Sequence, residues 1–320
     1  MRITVNAWDP GYADTGDRVG DSSRAKLDVN VELSGADWRP LGPPPASAAP
    51  PRVLLVDGVR RLDARIDIQT DEPTPFPGLC ASYAAGVVVC QLDGDSPAAR
   101  IAATKVERGL FSAAADGDVA AGRIAVYRGH RVNAEEPGDL VNAVQDRLSL
   151  LEVEVAELAE PGSRDLLVID GSLRQRAHLM RAVGFVKSHQ RRYLPDEQAR
   201  VIDELKPGQR TPVFLLETPW RRHSWYLRLP GGGDGAWAGI ARLECAADLD
   251  ISDVMELADA SAAVLPRLAS SPHKDPRAPQ NLTPIAGLER SLRAKLGDPR
   301  LLLRGLRAAT ASASANSAPR

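Results

Sequence analysis

Two short apolar runs constrain the fold of this 320-residue chain more than any other feature. Leu54-Leu55-Val56 runs straight into Asp57-Gly58, and Leu166-Leu167-Val168-Ile169 into Asp170-Gly171. Neither run alternates apolar with polar residues, so a strand built from it is apolar on both faces and needs cover on both. That points to a sheet with helices packed against it. The pattern "GDLVNAVQDRLSLLEVEVAELAE" at 138–160 predicts such a helix, with Asp139 as N-cap and apolar residues recurring at three- and four-residue steps. Residues 2–7, 27–33, 53–56, 64–70, 83–92, 166–169, 211–218, 224–230 and 237–245 read as strands, with a hairpin turn at Asp93-Gly94. Helix is expected at 253–269, 282–298 and 299–307, and at the start of 174–189, where "GFVKSH" then returns to strand. Residues 39–52 hold six prolines and a glycine and suit a linker or draped loop. The small, polar tail 308–320 is expected to be disordered. The class is α/β: a mixed sheet flanked by helices, with several strands in antiparallel-looking succession.

Composition narrows the function classes. Aromatic residues make up only 4% of the chain, so the core is aliphatic. A net charge of -2 gives no global pull toward nucleic acid or anionic membranes, although a local basic path can still exist. Three cysteines without a CxxC spacing fit free structural thiols in a reducing compartment. The first residues, "MRITVNAWDPGY", lack a signal peptide's apolar stretch, and no apolar run reaches the ~18 residues of a membrane-spanning helix. Cytoplasmic placement is the expectation. The five histidines show no HxxxH or HExxH spacing, no P-loop is present, and Ser172 has no GxSxG context.

The two Asp-Gly units admit two readings. Asp-Gly is a common turn dipeptide, so each can simply end a strand. Ligands of α/β sheets, however, gather outside strand ends. Aspartates ending two neighbouring strands repel each other unless a divalent cation lies between them. Glu152 is a candidate third carboxylate. On the helix it falls beside Leu148 and Val155, on or next to the buried stripe, where it is either held by a partner or metal or reaches out to water. Glu154 and Glu157 fit the exposed face better.

Downstream of Asp170 the stretch 171–194 carries Arg174, Arg176, Arg181, Lys187, Arg191 and Arg192 and no acidic residue. "WRRHSWYLR" at 220–228 adds Arg221, Arg222 and Arg228 among Trp220, Trp225 and Tyr226. Either these are solvated faces and ordinary tryptophan packing, or they form the path of a nucleic acid, with cations on phosphates and rings on unpaired bases. Their position just after Asp170 favours the second reading.

In order along the chain, "VDG", a helix with an inward glutamate, "LLVIDGSL", "GFVKSHQRRYL" and a strand pair ending in "IARLE" resemble the NurA nucleases over roughly residues 52–245. The resemblance implies an RNase H-like core with added β and helical insertions, a nuclease domain over 51–307 with an insertion at about 70–130, and a separate N-terminal segment 1–50. It also implies a homodimer that cleaves DNA with manganese or magnesium, acting with a HerA-like hexameric ATPase in end processing and double-strand break repair. Matched by position, Asp57 and Asp170 are metal-binding aspartates, and Glu152, with Glu154 as fallback, is the glutamate between them. Lys187 joins the catalytic group. Arg174, Arg176, Arg191, Arg192, Tyr193, Arg221 and Arg222 fall to nucleic-acid binding. The family's C-terminal histidine has no counterpart in 275–289, where Gln280 and Asn281 are the nearest substitutes and His273 lies just before. That departure defines the alternative expectation: a catalytically inactive DNA-binding or scaffold subunit of a translocase complex.

Overall fold

The computed structural model describes residues 26–92, 98–187, 193–231, 237–271 and 278–316. The expected strand at 2–7, the turn at Asp93-Gly94, and Arg191, Arg192 and His273 lie outside them. In chain order the elements are β1 (Lys26–Asp28), β2 (Arg52–Ile68), β3 (Phe76–Gln91), β4 (Ala98–Ser112), β5 (Val119–Ala121), β6 (Ala125–Arg131), α1 (Pro137–Leu158), β7 (Leu166–Asp170), β8 (Ala182–Val186), α2 (Asp196–Glu204), β9 (Phe214–Glu217), β10 (Arg221–Arg228), β11 (Ile240–Ala246), α3 (Ile251–Leu268), α4 (Thr283–Lys295) and α5 (Pro299–Asn316). The strands form one mixed sheet in the order β1-β9-β10-β11-β8-β7-β2-β3-β4-β6-β5.

The mixed α/β class expected from the sequence is the class observed. Strands β2, β7 and β8 are parallel neighbours, with Leu54 opposite Leu167 and Val168 opposite Val183. From β8 outward the pairing is antiparallel, through β11 and β10 to β9 and β1. The apolar runs explain the centre: Val53 to Val56 and Leu166 to Ile169 are almost wholly removed from water, as strands apolar on both faces must be.

The chain divides into two compact units. One comprises 1–56, 88–100 and 160–287. Its core joins Val53, Leu55, Val168 and Phe185 of the sheet to Leu243 and Trp225 and to the α3 residues Val254, Leu257 and Leu265. The proline-rich segment 39–52 belongs to it and is draped: Leu41 bridges to Arg210, and Ala49 packs on the core. The other unit comprises 57–87, 101–159 and 288–320. Its clusters gather Val59, Ala84, Leu288 and Leu292, and separately Cys80, Leu110, Tyr127 and Leu306.

Several local expectations are corrected. Asp57-Gly58 does not end its strand; β2 continues to Ile68. Beyond Asp57 only Val59 is buried, and the rest of the strand is half-buried or exposed. Asp139 is not the N-cap of α1 but sits one turn in, where its Oδ2 accepts the N–H groups of Glu135 and Glu136 at 3.0 Å. The first part of 174–189 is not helical. Its backbone makes short i→i−3 bonds, Arg176 N to Leu173 O and Leu179 N to Arg176 O, which bend the connection back to β8. Strand 27–33 shrinks to β1, and α5 extends to Asn316 through much of the stretch expected to be disordered. Among the described residues no helix is long and apolar enough to cross a membrane.

Candidate metal centre

The register of β2 with β7 determines the centre. Val56 lies opposite Ile169 on a parallel neighbour, and the next residue on each strand is an aspartate. Asp170 is the last residue of β7, and Gly171 turns the chain with φ of 105°, a conformation that costs glycine nothing. Asp57 is buried; its Oδ1 accepts the N–H of Gly58 at 2.8 Å.

The third acid is Glu289, on α4. One carboxylate oxygen from each of Asp57, Asp170 and Glu289 lies within 4.8 Å of the other two. Glu289 is buried, on the same helical stripe as Leu282, Ile285 and Leu292. A charged residue at that step of an apolar stripe is the signal the sequence carried: "LTPIAGLERSL" puts Glu289 four residues after Ile285 and seven after Leu282.

Glu152, the glutamate expected in this role, is also buried, on α1. Its Oε1 lies 2.7 Å from where a β-carbon on Gly58 would stand, next along the chain from Asp57. It is not one of the trio whose oxygens share the 4.8 Å sphere. Glu154 lies on the other side of the helix and is ion-paired with Lys105.

Lys187 follows β8 directly. Its Nζ donates to Asp170 Oδ2 at 2.6 Å and to Asn281 Oδ1 at 3.1 Å. Asn281, fully buried, thus reaches the centre from the region where the sequence lacked a histidine, whereas Gln280 donates to the Ile240 carbonyl. Three carboxylates and no sulfur or imidazole make a hard, all-oxygen donor set, which fits magnesium or manganese rather than zinc or copper. Such a cation would relieve the repulsion among clustered carboxylates that Lys187 already lessens at Asp170.

The basic residues separate into two groups. Arg174 and Arg221 are exposed, Arg221 paired with Glu217 at 3.3 Å. Arg176 is buried and donates to the Ser172 carbonyl at 2.7 Å. Arg222 is 2% exposed and ion-paired with the fully buried Glu244 at 3.0 Å. Arg222 and Arg242 lie over the half-buried Tyr193 ring at 6.0 and 5.3 Å, and Arg222 over Trp220 at 4.7 Å. Burial works to lower the Arg242 pKa, but Glu244 and the hydroxyls of Tyr226 and Tyr193 outweigh it, so the pKa is raised and Arg242 stays charged. The cysteines are free and buried, and burial pushes the thiols of Cys80 and Cys90 up to about 12 and about 11, which suits packing rather than reactivity.

No protein-family model matches the chain, and no curated protein is significantly similar to it.

Proposed function

We propose that the chain is a metal-dependent deoxyribonuclease of NurA type, built on an RNase H-like core and centred on Asp57, Asp170 and Glu289. The observation that carries this reading is the convergence of three carboxylate oxygens within 4.8 Å, two of them on adjacent parallel strands. Magnesium or manganese held there would activate water and offset the charge building on a scissile phosphate. Asp57, Asp170 and Glu289 would hold the ion. Lys187, kept beside Asp170 by Asn281, brings a positive charge to the place where a phosphate oxygen would lie. Arg174 and Arg221, exposed, suit the flanking DNA backbone, while Arg176 and Arg222 are buried and act through the groups they hold. The same reading gives the chain a homodimeric state and a HerA-like translocase as partner in DNA end processing.

A second reading rests on Lys187. An ammonium against Asp170 can stabilise the acidic cluster without an ion, as in an inactive scaffold subunit that docks on a translocase. Cleavage of end-labelled single-stranded DNA with Mn2+ separates the two. Wild type is expected to cut, and Asp57→Asn, Asp170→Asn and Glu289→Gln to lose at least about a hundredfold in rate, with unchanged circular dichroism. No cutting by the wild type, with the translocase also supplied, rejects the nuclease reading and leaves the scaffold. Full activity in the Glu289→Gln variant would return the third-ligand role to Glu152.

A further inference from the structure

The three stretches "IDGSL", "GFVKS" and "IARLE" meet at one buried side chain, Glu244 of β11. Glu244 lies opposite Gly184 of β8, and Gly184 lies opposite Ile169 of β7. Because Gly184 has no side chain, Glu244 passes across it and reaches the loop after Asp170. Glu244 Oε1 accepts the Leu173 N–H at 2.8 Å. A β-carbon on Gly184 would stand 2.8 Å from the Gly171 carbonyl oxygen, 2.9 Å from Leu173 N and 3.0 Å from Glu244 Cγ, so only glycine leaves room for this contact. Glu244 Oε2 meanwhile holds Arg242 at 2.6 Å and Arg222 at 3.0 Å. The loop is tied at two further points: Gly171 N–H donates to the Phe185 carbonyl at 2.9 Å, and Arg176 to the Ser172 carbonyl at 2.7 Å.

We infer that Glu244 is a positioning residue for the metal centre: it fixes the loop 171–173 and thereby the carboxylate of Asp170. The inference rests on the metal reading of Asp57, Asp170 and Glu289. Partners that orient a ligand from behind govern affinity without touching the ion. One oxygen of Glu244 takes the two arginines and the other takes the N–H of Leu173, three residues past Asp170, so the carboxylate ties the loop as well as neutralising buried cations. The two arginines pair with Oε2 of Glu244, and the loop N–H is the group that Oε1 serves.

Three variants test this: E244Q, G184A and R242M. E244Q has a single carbonyl oxygen for two sets of donors, G184A pushes the loop away from an intact Glu244, and R242M weakens the buried ion pair while leaving the Leu173 contact. Binding of Mn2+ alone, read by the paramagnetic relaxation of water protons, is expected to weaken at least about tenfold in E244Q and G184A, and to stay at the wild-type value in R242M even though its melting temperature falls. Wild-type Mn2+ affinity in G184A with its fold intact, or a loss in R242M equal to that in E244Q, overturns the inference and makes Glu244 a structural residue. Amide hydrogen exchange at Leu173, measured without metal, separates the two levels. If wild type binds no Mn2+, the metal reading fails; faster exchange in E244Q and G184A but not in R242M still upholds Glu244 as the anchor of the loop, and unchanged exchange rejects it.

Discussion

At the scale of single residues, the most exacting position is Gly58. Its backbone is not in the left-handed region, so sterics decide what it tolerates. A β-carbon there would stand 2.7 Å from both Glu152 Oε1 and Leu148 Cδ1. Gly58→Ala is expected to cost roughly 1–3 kcal/mol, the usual penalty of forcing a methyl into a packed core, measured by urea unfolding. His223 makes a different demand. It is 8% exposed, and burial lowers its pKa from 6.5, against the bond of its ring nitrogen to the Ala246 carbonyl and with the help of Arg221. His130, stacked on Phe111, is lowered in the same direction, chiefly by burial. The unfolded chain takes up these protons near 6.5 while the folded chain resists, so the stability they contribute is complete above 6.5 and is lost as pH falls through it. Replacing both with asparagine is expected to flatten the fall in melting temperature below that pH, and an unaltered slope would assign the acid sensitivity to carboxylates. The same scale divides the legible from the hidden. Asp57 and Asp170 could be read because each follows an apolar run whose burial the local pattern announces. Glu289 could be seen only as an anomaly on a helical stripe, since nothing near it in the chain names its partners.

At the scale of elements, the stretch that leads into the draped segment is tied down by a buried ion-pair group at Glu32. Arg210 donates to Glu32 at 2.8 and 2.9 Å through two nitrogens and to Asp259 at 2.8 Å, and Glu32 also accepts the Val213 N–H at 2.7 Å. Arg210 is 3% and Glu32 4% exposed in their side chains, so removing either leaves a buried charge. Glu32→Ala is expected to lose about 3–5 kcal/mol in denaturant unfolding, and Arg210→Met with Glu32→Gln to recover part of it. The helices α1, α3 and α4 were legible because their period extends over many residues, and parts of β2, β3, β7, β9, β10 and β11 from their apolar or β-forming runs, whereas β4, β5 and β6 were not among the expected strands. The connection 171–181 was not. Its arginines and alanine suit a helix locally, but the Leu173 N–H is drawn to Glu244 of β11 and Arg176 folds back onto the Ser172 carbonyl. The length of β2 was hidden for a similar reason: Asp-Gly is a turn signal only where no neighbouring strand continues the ladder, and β2 continues beside β3.

At the scale of the whole molecule, an ion that binds the folded chain and not the unfolded one raises its stability, by about 2.7 kcal/mol at a hundredfold excess over Kd. Manganese is therefore expected to raise the melting temperature of the wild type by a few degrees and that of Asp170→Asn by none, as followed by calorimetry. Equal shifts in both would place the bound ion elsewhere. The sheet as a class could be inferred from strands apolar on both faces; its order could not, because pairings such as β2 with β7 join residues more than a hundred positions apart and leave no local trace. The division into two units was equally hidden, since the chain passes from one to the other after Val56, Val87, Arg100, Ala159 and Gly287. Neither unit is therefore a cassette that a single cut could excise or a gene fusion could transplant. On the ribosome Asp57 and Asp170 emerge well ahead of Glu289, which lies just past the last of those passages. A growing chain holds only two of the three acids until residue 289 has been added, so no complete version of the centre exists before then.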